Sequence, residues 1–278
     1  MMNFHPLLKI GAAAALLLLA ACCATRCLHE QPPVLRLIGD STMADKPVEE
    51  TAERGWGQLL PDFFVPEIRV VNYAKNGRST KSFIQQGLWS NVLTDLKKGD
   101  YVFIQFGHND AKISDTTRYA EAHTVYRANL IRYVTEARAK KANPILLTPV
   151  MRRNFTAEGA LRDTHGDYPG VVKEVAALYK VPLIDHHARS LKLLTELGPA
   201  RSERLFMRVP PGVYKQLPQG KSDNTHFLEE GAVEMVKLVI AGLQELKHPL
   251  IKHLKVEAGW PVPAPPPWPI PLETSSKP

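Results

Sequence analysis

Five short apolar runs punctuate the middle of the chain, over residues 34–38, 69–73, 101–106, 144–149 and 181–185. Each is rich in Val, Ile, Leu or aromatic residues, and glycine or polar residues follow, so each predicts a strand, the last a short edge strand. Longer amphipathic stretches separate the runs, over about 79–97, 117–140, 169–179 and 187–197, and a final helix is expected from about 227 to 246. Near-continuous apolar strands joined by crossover-length helices predict a doubly wound parallel sheet covered on both faces, a three-layer α/β/α sandwich. Polar and glycine residues gather just after the strands, at the carboxyl edge where such sheets bind ligands. There is no internal repeat and no second domain.

Both ends depart from this pattern. Lys9 precedes an apolar run from Ile10 to Ala21 with no amphipathic period, which reads as a secretory signal and is short for a membrane span. Leu19-Ala20-Ala21-Cys22 has the order of a bacterial lipobox, in which the cysteine is lipidated. The same small residues also suit an ordinary signal peptidase. After Gly259 comes a run with proline at 261, 263, 265, 266, 267 and 269, too dense for helix or central strand, so an extended tail is expected. It either packs or remains disordered, or it serves a partner. The organisation is thus a leader over 1–21, a linker over 22–32, one domain over about 33–247 and a proline-rich tail over 248–278.

The chain has 278 residues, 44% of them hydrophobic, enough for a full core. Its three cysteines, Cys22, Cys23 and Cys27, all precede the domain, which excludes a disulfide-stapled fold and a cysteine-rich zinc module. The net charge of +7 invites a nucleic-acid reading, but the cations are scattered and no recognition motif accompanies them.

The candidate chemistry lies at the strand ends. Ile38-Gly39-Asp40-Ser41-Thr42-Met43 places a serine at a tight turn after the first strand. A serine hydroxyl needs a base, and Asp223-Asn224-Thr225-His226 offers an imidazole with a carboxylate three residues before it, spaced to meet in a helical or tight turn. Each element alone is also an ordinary turn or helix cap. Their company is informative: Asn76-Gly77-Arg78-Ser79 follows the second strand and Gly107-His108-Asn109-Asp110 the third, and both bring the hydrogen-bond donors that acyl transfer requires.

Gly39-Asp40-Ser41, Gly77, Gly107-His108-Asn109-Asp110 and Asp223-x-x-His226 resemble, in order, the four blocks of the SGNH, or GDSL-type, hydrolase superfamily. Together with Thr42 and Gly55-Trp56-Gly57, they look like its rhamnogalacturonan acetylesterase branch. The resemblance covers about 33–247. It implies a flavodoxin-like sheet, Ser41 as nucleophile, His226 as base and then acid, and Asp223 as the orienting carboxylate. It also implies an oxyanion hole of the Ser41 and Gly77 amides and the Asn109 side chain, with no metal or organic cofactor. The expected function is that of an exported serine esterase removing O-acetyl groups from plant cell-wall polysaccharide, rhamnogalacturonan first. The expected protein is a monomer, periplasmic, surface-anchored through Cys22, or secreted, with an acetylated glycan as its partner and no nucleic acid. The alternatives are another acyl ester, such as acetylxylan or a lipid, and a non-catalytic glycan-binding lipoprotein.

Other residues have two readings. Arg78, with Lys75 and Lys81, can meet uronate carboxylates or simply be solvated, and Trp56 can stack on a sugar or fill the core. His108 can shape the pocket or be packed beneath it. His186-His187 hints at metal ligands, but neighbouring side chains at a helix start point apart and no metal is expected.

Overall fold

The computed structural model describes residues 32–215 and 217–255. The chain divides at Pro32 and Pro33 into two units, and the domain below belongs to the second. The expected leader, Cys22 and the proline run from Trp260 lie outside the described residues.

All five expected strands form: β1 (Leu35–Gly39), β2 (Val70–Asn72), β3 (Tyr101–Gln105), β4 (Asn143–Leu147) and β5 (Leu183–Ile184). They pair in parallel in the order β2-β1-β3-β4-β5, the flavodoxin-like arrangement. Successive residues of each strand enter different cores, which is why the strands read as unbroken apolar runs. Leu35, Leu37, Phe103, Ile145 and Leu147 join one cluster with the last helix, while Ile38, Val102, Ile104 and Leu146 join the other.

The second face is covered by α1 (Thr80–Gln85), α2 (Leu88–Asp95), α3 (Arg127–Ala139) and α4 (Tyr168–Tyr179). The first is covered by α5 (His186–Ser202) and α6 (Glu229–Glu245). The single helix expected over 79–97 is two, because Gly87 takes a left-handed φ of 73° between α1 and α2. The helix expected from 117 starts later: Glu121 accepts hydrogen bonds from the amides of His123 and Thr124, capping a π-turn over Ala122–Tyr126 that leads into α3. That leaves residues 107–120 as a loop at the carboxyl edge.

Two features were not expected. A separate antiparallel pair, β6 (Phe206–Val209) and β7 (Lys221–Phe227), precedes the last helix. The domain also runs beyond 247, contrary to the boundary read from the sequence. Leu250 is buried, and the stretch 253–255 hydrogen-bonds to 63–65 through Val65 N to His253 O and Lys255 N to Phe63 O.

Candidate active site

The β1-β3 junction is where the chain reverses its direction of travel across the sheet, and the loops after β1, β2 and β3 meet there. Gly39 closes β1 because the backbone crowds it: a Cβ would stand 2.7 Å from the Gln105 carbonyl oxygen. Asp40 then organises the turn. Its side chain accepts from the Thr42 amide at 2.9 Å and hydroxyl at 2.8 Å, and its carbonyl accepts from the amides of Met43 and Ala44. The Ser41 amide is left without a protein acceptor among the described residues.

The same accounting applies after β2. Ala74 donates to the Asn72 side chain, Lys75 to the Gly39 carbonyl, Arg78 to the Lys75 carbonyl and Ser79 to the Ser82 hydroxyl. The Gly77 amide has no such acceptor among the described residues, and its φ of 73° is the conformation glycine takes without strain. Asn109 is the third donor: one amide hydrogen goes to the Arg78 carbonyl at 3.0 Å, and its second remains for a ligand.

Asp223 and His226 arrive from β7. Phe206 faces Phe227 and Arg208 faces Ser222, so one residue of β6 opposes the four residues 223–226 and the excess bulges out of the ladder. The bulge is closed by Asp223, whose Oδ1 accepts from the amides of Thr225 at 2.8 Å and His226 at 3.1 Å. This is the tight turn the spacing required, set into a strand. The Asp223 Oδ2 lies 2.7 Å from His226 Nδ1, and His226 Nε2 lies 2.8 Å from Ser41 Oγ. With Nδ1–H donated to the carboxylate, Nε2 is the lone-pair nitrogen and accepts the serine proton. Burial pulls the Asp223 carboxyl up, but the bonds from His226 and the two amides outweigh it and hold Asp223 well below the usual range. The Lys221 ammonium, 3.4 Å from Oδ2, is a further partner that sequence reasoning did not single out.

The structure corrects two proposed ligand contacts. Trp56 is 0% exposed and donates Nε1–H to Gln105 Oε1 at 2.8 Å, with its ring edge-on to His186, so it is a core residue. His108 is 3% exposed and lies beneath the serine turn: Nδ1 is 3.1 Å from Asp40 Oδ2, and its ring packs edge-on against His165. Burial pushes the His108 pKa down, so it is a neutral donor to the Asp40 carboxylate. Arg78 stays at the site, but its guanidinium is bound to Gln86 Oε1 and the Asn76 carbonyl. Lys75 is exposed, and the Lys81 ammonium donates to the Thr116 carbonyl at 2.8 Å. His186 packs on Trp56 while His187 lies 3.3 Å from Asp163, and no metal-holding group of three ligand side chains forms among the described residues.

Three residues near the donors were not read from the sequence. Arg118 Nη1 approaches Asn109 Oδ1 at 3.4 Å, Arg152 donates to the His108 carbonyl at 3.2 Å, and Lys112 follows Asn109 on the same turn. No short motif marks them: Lys112 and Arg118 are isolated cations in a loop, and Arg152 stands in a plain Arg152-Arg153 pair.

Set beside known proteins, residues 37–213 match the GDSL-like lipase/acylhydrolase family. That span holds Ser41, Gly77 and Asn109 and stops before Asp223. The chain is 40% identical over 223 residues to the rhamnogalacturonan acetylesterase RhgT of Bacillus subtilis, covering 80% of this chain and 94% of that one. Among solved structures, YxiM of Bacillus subtilis is 26% identical with a TM-score of 0.67, over 78% of this chain and 57% of that longer one. A catalytic mutant of Axe2, an acetylxylan esterase from Geobacillus stearothermophilus, is 19% identical with a TM-score of 0.56, over 76% and 94%, a likeness of fold.

Proposed function

Because this chain belongs to the GDSL-like lipase/acylhydrolase family and is a carboxylic ester hydrolase, we propose that it removes O-acetyl groups from plant cell-wall polysaccharide, with rhamnogalacturonan as its substrate. The observation that carries the chemistry is the unbroken line from Ser41 Oγ through His226 to Asp223, beside two backbone amides that lack acceptors among the described residues. A protein that only bound glycans would have no use for such a line. The choice of substrate rests on the 40% identity to a rhamnogalacturonan acetylesterase over nearly that enzyme's whole length.

In this reading Ser41 Oγ attacks the acetyl carbonyl carbon as its proton passes to His226 Nε2. The negative charge on the former carbonyl oxygen is met by the Ser41 and Gly77 amides and the Asn109 side chain. Collapse expels the sugar oxygen, which takes the proton from His226, and Ser41 is left acetylated. Water then attacks the acetyl-serine with His226 as base, and acetate leaves as the proton returns to Ser41 Oγ. Asp223 stays ionised throughout and steadies the imidazolium. The apolar run over residues 10–21 supports export, and the proposal includes Cys22 as the lipidation point and a monomer as the active species.

The test is acetate release from acetylated rhamnogalacturonan, homogalacturonan, xylan and mannan. Rhamnogalacturonan gives the highest kcat/KM, and Ser41→Ala lowers turnover by on the order of 10⁴-fold or more with an unchanged circular dichroism spectrum. A preference for xylan overturns the substrate. An active alanine variant overturns the nucleophile.

A further inference from the structure

We propose that Lys112, at the lip of the site with Arg118 beside it, binds the carboxylate of a uronate ring neighbouring the acetylated sugar. The proposal deepens the rhamnogalacturonan reading and rests on it.

The loop after β3 carries the argument. Ala111 N bonds to the Gly107 carbonyl and Lys112 N to the Asn109 carbonyl, so a tight turn runs directly from the Asn109 donor to the exposed Lys112. Further along, the Asp115 carbonyl accepts from the amides of Arg118 and Tyr119, folding the chain back. Arg118 therefore returns to the oxyanion donors: its Nη1 is 3.4 Å from Asn109 Oδ1 and would be 3.6 Å from a Cβ on Gly77. In the proposal, the sugar of an ester seated on these donors runs along the edge of this loop.

The charges around the loop do not balance. Arg118 is paired with Asp115 at 2.5 Å, but no carboxylate of the described residues lies within ion-pair distance of Lys112. Asp40, the buried anion nearby, is already engaged by Thr42 and His108. Partial burial and then the repulsion of Arg118 and Arg152 press the Lys112 pKa down, and the attraction of Asp115 and Asp40 only partly offsets them. The open cleft along β6 and β7 shows the contrast. There Arg204 is matched by Glu230, Arg208 by Glu203, and Lys221 by Glu53 and Asp223. A cleft so neutralised offers little to an anion, whereas a carboxylate beside Lys112 meets an unshared ammonium and relieves its repulsion with Arg118. Arg78 and Lys81 are poorer candidates, since each already gives hydrogen bonds to the protein, Arg78 to Gln86 Oε1 and the Asn76 carbonyl and Lys81 to the Thr116 carbonyl.

The experiment measures acetate release by the full chain from acetylated rhamnogalacturonan, from acetylated homogalacturonan, and from the same polymers with their uronates reduced to neutral sugars. For Lys112→Gln, the ratio of kcat/KM on the acidic polymer to that on its reduced form falls roughly three- to tenfold, through KM, and Lys112→Arg restores it. The preference for the acidic polymer also fades with added salt in the parent enzyme and less so in Lys112→Gln. An unchanged ratio in Lys112→Gln overturns the proposal even if rhamnogalacturonan proves to be the substrate. Conversely, a Lys112-dependent preference for acidic over reduced homogalacturonan, with no activity on rhamnogalacturonan, sinks that substrate and leaves the carboxylate site standing.

Discussion

Asp110, the residue after Asn109, is a carboxyl with an internal test built into it. It is fully buried, and its Oδ1 accepts from the Thr80 amide at 2.9 Å and the Thr80 hydroxyl at 2.5 Å. The other oxygen, Oδ2, has no hydrogen-bond partner among the described residues. Burial raises the pKa and outweighs the Thr80 bonds, carrying it from 3.8 to about 7. The folded protein therefore holds a proton on Asp110 that the unfolded chain releases near pH 4. Between those two values the folded state binds more protons, so this group's contribution to stability falls as pH rises and is lost above about 7. At 1.36 kcal/mol per unit, a shift of some three units amounts to about 4 kcal/mol over the window. Asparagine mimics the protonated acid: its carbonyl keeps both Thr80 bonds and its amide occupies the place of the Oδ2 proton. The assay is urea unfolding of parent and Asp110→Asn from pH 4 to 8. The stability of the variant minus that of the parent rises with pH by about 1.4 kcal/mol per unit and levels off above about 7. Taking the difference cancels the acid limb set by Asp223 and by the buried histidines. A flat difference across the whole range refutes the buried, protonated Asp110.

Two further outcomes probe the site. Asn109→Ala removes one oxyanion donor and lowers kcat by about 10²- to 10³-fold, with KM for a small acetyl ester little altered, as measured by steady-state kinetics. A loss confined to KM would place Asn109 in substrate binding. Trp56→Phe empties part of a sealed site and leaves Gln105 Oε1 without its donor, costing about 2 kcal/mol in denaturant unfolding while KM on acetylated polymer holds. Weaker polymer binding at undiminished stability would return Trp56 to the glycan.

The parallel sheet was legible because burial on both faces leaves one signal, an apolar run, and the five runs match β1 to β5. The β6-β7 pair was not. Its longer strand reads Lys221-Ser222-Asp223-Asn224-Thr225-His226-Phe227, with neither alternation nor a turn signature to mark it. Ser41 and the Asp223-x-x-His226 pair were legible from residue type and spacing, the rest of the four blocks from resemblance to the family, and Ser41, His226 and Asp223 meet in space. Trp56 and His108 misled because the Trp56 indole N–H and the His108 Nδ1 find their partners in Gln105 and Asp40, 49 and 68 positions away. Hydropathy along a chain shows that a group is polar, and the partner that lets it be buried is visible only in the fold.

What holds the serine to its base is likewise absent from any motif. Ser41 and His226 are 185 positions apart and come from different sheets, yet their hydrogen bond spans 2.8 Å. The tie is the short segment Arg54-Gly55-Trp56. Trp56 N donates to the Thr42 carbonyl at 3.0 Å, one residue past the nucleophile, and Arg54 N donates to the Phe227 carbonyl at 2.9 Å, one residue past the base. Two backbone bonds two residues apart thus set the nucleophile turn against the bulged strand, and neither uses a side chain. The buried Trp56 indole then fixes the segment to Gln105 at the end of β3, the strand that leads to Asn109. One anchored tripeptide thereby ties together the elements that carry nucleophile, base and oxyanion donor. The sequence gives it away only as Gly-Trp-Gly, where the glycines allow close approach and the tryptophan supplies the anchor. A misplacement of about 1 Å between reacting groups can cost 10²-fold in rate, so a rigid tie of this kind bears on the chemistry without touching the substrate.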